Sequence, residues 1–345
     1  MNALAKFSRS TVAGPLVAML LVVLIVSLAS DRFLHAQNLT NVSLQVATVA
    51  VVAIGATLVI LTGGIDLSPG STVALVTCSL AILVKNKGLP LPVGILLVLL
   101  LGAGLGFING FFSTYGKIPS FIVTLATMSI YRGLAFLITN GSPIFSVSPA
   151  LEQVFYGKLL GIPLPFYYVV TLYALGAVFL RYTIPGRAIY ALGGNESAAR
   201  LSGIQVNRTR LMAFVIAGVT AAIGGVLLTA WLNSGSPNYG AELGLQSIAA
   251  AVIGGASLTG GYGSMVATLF GALTVAVVQN GLNLRAVPAS WQEITLGIVI
   301  VLAVGVDMWR ANISRGAGRL FRLLGSGQKS PPTPSKPTAS KSTGD

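Results

Sequence analysis

Ten apolar stretches follow one another between Val12 and Trp309, and most are too long for an ordinary globular core helix. They run at about 12–29, 41–62, 71–84, 91–113, 119–139, 163–180, 211–232, 244–260, 263–284 and 291–309. A helix rises about 1.5 Å per residue, so roughly 20 apolar residues cross a bilayer's hydrocarbon core. Inside lipid every backbone N–H and C=O must be satisfied by the protein itself, which leaves helices or a closed barrel. Barrel strands would alternate apolar and polar residues in short segments, and no such alternation is present. Only 8% of the 345 residues are charged and 54% are hydrophobic, with a mean hydropathy of +0.84. The expected fold class is therefore an all-α integral membrane protein of about ten transmembrane helices.

The net charge of +13 does not imply nucleic acid, because of where the charge lies. Ten spans put both termini on one side. That side then carries 15 Lys and Arg: Lys6, Arg9, Lys117, five in the loop 181–210 and seven from Arg310 onward. The other side carries five, namely Arg32, Lys85, Lys87, Lys158 and Arg285, and Arg132 falls within a span. Basic loops stay cytoplasmic, so both termini are expected in the cytoplasm. This divides the chain into a cytoplasmic N-terminus at 1–11, a transmembrane domain at 12–310 and a basic tail at 311–345. The tail is rich in Ser, Pro, Thr and Lys and is expected to be largely disordered. The start resembles a signal peptide, but Val12 to Ala29 is too long for the apolar core of one and further spans follow, so it is expected to be retained.

Catalytic chemistry has no support. Cys78 is the only cysteine and His35 the only histidine, which excludes disulfides and Cys/His metal sites. Among eight acids there is no paired-carboxylate spacing, and no GxxxxGK[ST] frame that would cradle a nucleotide. Neither a metal nor any other cofactor is expected. Asp66 stands in Gly63-Gly64-Ile65-Asp66-Leu67-Ser68-Pro69-Gly70, where a helix should break. It either caps the third span from a cytoplasmic turn or belongs to a break that lines protein or a cavity. The pairs Gly63-Gly64 and Gly254-Gly255 permit close helix approach. Arg132 lies inside a span, either at a functional position or snorkelling to the surface. Asn109 and Asn280 either line a polar path or bond across helices. The segment 63–70 also echoes Gly254 to Gly261, and Asn109-Gly110…Thr124-Leu125 echoes Asn280-Gly281…Thr295-Leu296, as two related halves would.

The loop from Arg181 to Arg210 holds five arginines and one acid, Glu196. Asn195 is a good N-cap and Glu196 suits the first turn. Ala198, Ala199, Arg200 and Leu201 favour helix, and Gly203 is placed as its C-terminal stop. A two-turn helix is expected at about 196–202. A basic loop serves orientation alone in many membrane proteins, but a helix capped at both ends is more than orientation needs, and this one reads as a docking element.

GGIDLSPG at 63–70, the run 118–141, ALGGNESAARLSGI at 191–204 and AAAVIGGASLTGGYG at 249–263 resemble, in this order, the ribose-type sugar permeases of ATP-binding-cassette importers. The resemblance covers about 40–310. It implies an inner-membrane, multi-pass subunit that dimerises, takes a monosaccharide from a periplasmic binding protein and is driven by separate ATPase subunits, so that ATP is used by a partner. It implies that loop 181–210 is the coupling loop that docks on the ATPase, with Asn195, Glu196, Ala198, Ala199, Arg200, Leu201 and Gly203 in the docking helix. The family's usual Glu is displaced here, since Ser197 precedes Ala198-Ala199 and Glu196 is one earlier. A stand-alone secondary transporter or channel for a small polar solute is the competing class. A proton- or sodium-coupled carrier should need intramembrane carboxylates, which this chain almost lacks.

Overall fold

The computed structural model describes residues 11–302, 304 and 305. The expected N-terminal segment lies almost wholly outside these residues, and the expected disordered tail entirely so. The described chain is helical, with two short two-stranded ribbons and no barrel. Seven helices are long and apolar enough to cross a membrane, one of them continuing through a π turn. In chain order the helices are α1 (Ala13–Ala29), α2 (Ala36–Leu61), α3 (Pro69–Ala81, extended by the π turn Ile82–Asn86), α4 (Leu91–Thr114), α5 (Ser120–Thr139), α6 (Pro149–Tyr156) and α7 (Leu164–Tyr182). They continue with α8 (Ile184–Gly194), α9 (Glu196–Leu201), α10 (Val206–Leu232), α11 (Leu243–Ile253) and α12 (Met265–Leu284), and α13 (Ala289–Leu302). The ribbons are β1 (Ile144–Phe145) with β4 (Ser234–Gly235), and β2 (Lys158–Leu159) with β3 (Ile162–Pro163).

α2 is the central element. It is apolar on every side, as a helix must be when neighbours surround it, and it is buried without a break from Val46 to Leu61. α10 crosses it where a Cβ on Gly55 would fall 2.3 Å from Thr220 Oγ1 and 2.5 Å from Ala217 Cα. α12 meets it through the Thr57 and Thr268 hydroxyls, 3.0 Å apart. Tyr173 on α7 donates to the Ala50 carbonyl at 2.9 Å. Lipid tails offer no hydrophobic drive between helices, so close backbone packing has to hold them together. The clearest case joins α4 to α10: a Cβ on Gly102 would lie 2.5 Å from the Gly218 carbonyl, and one on Gly106 2.3 Å from that of Phe214.

Two stretches depart from the ten-span reading. α11 has 11 residues, only about 16 Å of helix, and 254–264 is not helical. Leading into it, 234–242 runs along α3 without helix: the Thr77 hydroxyl donates to the Ser236 carbonyl at 3.3 Å, and a Cβ on Gly70 would fall 2.3 Å from the Gly240 carbonyl. The glycines of 254–261 made this region read as one continuous span by composition, but Gly255, Gly260 and Gly261 all adopt positive φ, which a helix excludes. The loop 140–162 carries α6, whose Ser148 side chain accepts from the Ala150 amide. The internal echo holds for the glycine pairs, both of which end a helix. It fails for the asparagines: Asn109 lies on the second helix after its glycine pair, Asn280 on the first.

Candidate translocation path and docking element

The break between α2 and α3 is built into the protein. The Ile65 amide donates to Ser120 Oγ at 3.0 Å, and the Thr124 hydroxyl donates to the Ile65 carbonyl at 3.3 Å, tying the segment to the start of α5. Asp66 is 5% exposed, and its Oδ1 accepts from both the amide (2.8 Å) and the hydroxyl (2.7 Å) of Ser68. Asn109 on α4 donates to Ser68 Oγ at 2.8 Å, and its Oδ1 accepts from the Tyr131 hydroxyl at 3.3 Å. That hydroxyl also donates to the Leu105 carbonyl at 3.0 Å. The chain Asp66–Ser68–Asn109–Tyr131 therefore binds the break to α4 and α5. It is buried, as a non-helical stretch at membrane depth has to be if its polar groups are to stay satisfied. Asp66 is thus held inside the protein, just ahead of the first turn of α3. Asn280 is likewise internal: its amide exchanges two hydrogen bonds with Asn38, at 2.9 and 3.0 Å. Asn109 and Asn280 thus bond across helices and do not face an open path.

The glycine pairs have unequal parts. Gly63 and Gly255 turn the chain at φ +78° and +80°. Gly254 allows contact with α12, where a Cβ would lie 2.6 Å from Thr268 Cα, and Gly64 is buried beside Val59 and Ser120. A tighter junction, absent from the sequence reading, lies at Gly193. A Cβ there would fall 1.9 Å from the Leu61 carbonyl and 2.4 Å from the Gly261 amide, and those two groups hydrogen-bond to each other at 2.9 Å. The Tyr190 hydroxyl donates to the Gly263 carbonyl at 2.9 Å. The end of α8 is thereby lodged between the segments that follow α2 and α11.

α9 follows directly. Asn195 Oδ1 accepts from the Ala198 amide at 2.9 Å, and Glu196 pairs with Arg200 at 3.2 Å and Arg210 at 2.7 Å. The helix ends as the glycine predicts. Gly203 is at φ +82°, its amide donates to the Arg200 carbonyl and that of Ile204 to the Ala199 carbonyl, the paired bonds of a Schellman stop. The helix runs 196–201, within a residue of expectation. Ala199 packs inward with Leu192 and Val206, whereas Ala198 is exposed and Leu201 90% exposed. Ala199 therefore seats the helix, and Ala198 and Leu201 form its free face. The amphipathic α8 lies where the sequence suggests only loop. Its signals were Thr183, which caps it by accepting from the Gly186 amide at 3.1 Å, Pro185 in its first turn, and Ile189 with Leu192 one turn apart. Beside α9, an open depression of about 310 Å³ lies between Tyr115, Arg200, Gln205 and Arg208.

Arg132 is exposed on α5, with its guanidinium carbon 6.0 Å from the centroid of the Phe136 ring. Both ion pairs among the described residues belong to Glu196, so Arg132 has no carboxylate there.

Comparison with known proteins places this architecture. Residues 38–304 match the family described as branched-chain amino acid transport system / permease component. The ribose import permease protein RbsC of Bacillus subtilis is 42% identical over 296 residues, covering 85% of this chain and 92% of that protein. The corresponding protein of Escherichia coli K12 is 41% identical over the same shares. The xylose transport system permease protein XylH of Haemophilus influenzae is 34% identical, covering 85% of this chain and 94% of that protein. No solved structure matches the chain significantly. The family match spans every helix from α2 through α13, and the chain belongs to the branched-chain amino acid transport system permease component family.

Proposed function

We propose that the chain is the membrane-spanning permease subunit of an ATP-driven importer for a monosaccharide of the ribose or xylose type. The observation that carries this is similarity at 41–42% identity to ribose import permeases over nearly the whole length of both chains. The sequence has no phosphate-cradling GxxxxGK[ST] frame of its own, so the energy has to arrive through a contact. The partners are a separate ATPase subunit and a periplasmic sugar-binding protein, and two copies of the chain enclose the passage. The protein sits in the inner membrane with both termini cytoplasmic, and the chain crosses ten times: the seven long helices, α1, α13, and the half-helix α11 with its extended lead-in.

On this reading α9 is the coupling helix. It is capped at both ends, it projects Ala198 and Leu201, and α8 seats it on the segments after α2 and α11. The test is reconstitution with the cognate ATPase and binding protein. The ATPase should co-purify, labelled pentose should enter vesicles, and binding protein loaded with sugar should stimulate hydrolysis. Pentose entry that persists without ATPase or ATP would instead identify a stand-alone carrier.

A further inference from the structure

We propose that the face of α5 bearing Ser129, Arg132, Gly133 and Phe136 lines the sugar passage, and that Arg132 and Phe136 form a monosaccharide subsite within it. That the ligand is a sugar rests on the importer reading above; that the face is wet does not.

At about 100° per residue, these four positions fall on one side of the helix. On the other side of the helix Thr124, Thr127, Tyr131 and Ala135 are buried against the protein. The outward side is open: Ser129, Arg132, Gly133 and Phe136 are exposed, and a Cβ on Gly133 would meet nothing within 4 Å. In the assembly this side meets lipid, a second copy of the chain or the water of the passage that the two copies enclose. Arg132 lies seven residues before the end of α5 at Thr139, about 10 Å along the axis, and no carboxylate among the described residues pairs with it. A bare guanidinium at that depth in hydrocarbon is costly, and charged groups within spans turn toward water-filled cavities. The polarity is also confined to one half. Toward the start of the helix the same side carries Leu125 and Ile122. On the proposed orientation the polar half is the outer one, where sugar arrives from its binding protein.

The chemistry fits the sugar that the importer reading implies. A guanidinium has five N–H donors in a planar fork and no acceptor, which suits a ring of hydroxyl oxygens. An exposed aromatic face suits the apolar C–H side of a pyranose or furanose. The guanidinium carbon stands 6.0 Å from the centroid of the Phe136 ring, so both groups border one volume, and the cation over the ring holds the long side chain in place.

Cys78 is the sole cysteine and is fully buried, so engineered thiols report alone. In vesicles holding the whole complex, S129C, R132C and F136C should react with a membrane-impermeant methanethiosulfonate about tenfold faster than I130C and L137C, the difference between water and lipid access. Arg132→Leu should cut labelled ribose or xylose uptake by about tenfold or more while the ATPase still co-purifies, and Arg132→Lys should recover part of it, since charge returns without the fork. Equal reactivity of R132C and L137C would mean that the arginine merely snorkels, and the proposal fails. Normal uptake by Arg132→Leu overturns the subsite. If the unchanged chain neither binds an ATPase nor imports either pentose, the importer reading fails instead, and thiol reactivity still decides whether this face meets water.

Discussion

Asn109 is a single amide on which two helices and a helix break depend. It donates to Ser68 and accepts from Tyr131, all of them buried. Asn109→Ala removes one hydrogen bond from Ser68, which keeps Asp66, and one from Tyr131, which keeps the Leu105 carbonyl, and a lost hydrogen bond costs about 0.5–1.5 kcal/mol. The melting temperature of the purified protein in detergent should fall accordingly; an unchanged value would mean that the network does not hold the break. Glu196 is the contrasting case, a charge at the surface. The hydrogen bond from Arg210, helped by Arg200, holds its carboxyl below the ordinary glutamate range. A depressed folded-state pKa contributes stability above the unfolded value, and that stability is lost as pH falls through the folded one. The carboxylate is 44% exposed, so solvent screens the pairs and their contribution is small. Glu196→Gln should lower the melting temperature slightly at pH 7, and the difference from the unchanged protein should close as the medium is acidified below the carboxylate range.

At the scale of elements, α8 is held against its neighbours where Gly193 leaves no room for a side chain. Gly193 and its neighbour Gly194 form a matched pair. A Cβ on Gly193 would strike the Leu61 carbonyl and the Gly261 amide, which are backbone and cannot swing away, whereas a Cβ on Gly194 meets nothing within 4 Å. Gly193→Ala should therefore displace α8 from the segments after α2 and α11 and abolish sugar-stimulated ATP hydrolysis, while Gly194→Ala retains it. Equal rates in the two variants would show that this junction does not transmit movement. The seat of α9 yields a parallel expectation. Ala199→Trp needs space where Leu192 and Val206 already pack, and Gly203→Val demands a positive φ that a β-branched residue resists. Both variants should insert in the membrane yet lose stimulated hydrolysis, as read by co-purification of the ATPase and its rate.

For the molecule as a whole, the distribution of charge and the succession of helices lead to one arrangement. On the proposed ten-span arrangement, fifteen Lys and Arg against five would put loop 181–210 and both termini together in the cytoplasm. Ser148, at the cap of α6, and Asn195, at the cap of α9, are then on opposite sides of the membrane. Reporter fusions at these two positions should give opposite signals, and matching signals would sink the ten-span arrangement. The irregular backbone is consistent with that arrangement. Two of the non-helical stretches, 62–68 and 234–242, are lodged against other helices, where polar groups find partners.

The sequence by itself determined the class of fold, the long spans, the side of the membrane expected for each loop and the capped helix at 196–201. Each of these is written locally: in runs of apolar residues longer than a core needs, in charges no bilayer tolerates, and in the Asn195 and Gly203 stops. The family resemblance was equally legible, because its motifs are contiguous. What only the tertiary structure decided depends on partners distant in the chain. For Asp66 the sequence leaves a capping turn and a buried break both open until Ser68, Asn109 and Tyr131 close the network, and for Asn280 it leaves a polar path and an inter-helix bond both open until Asn38 meets it. Gly193 has no distinguishing local signal, since its neighbour is the same residue with open space around it. The half-helix α11 was hidden for the same reason. Apolar composition runs through 244–260, and only the positive φ of Gly255, Gly260 and Gly261, the last two against α8, shows where the helix stops.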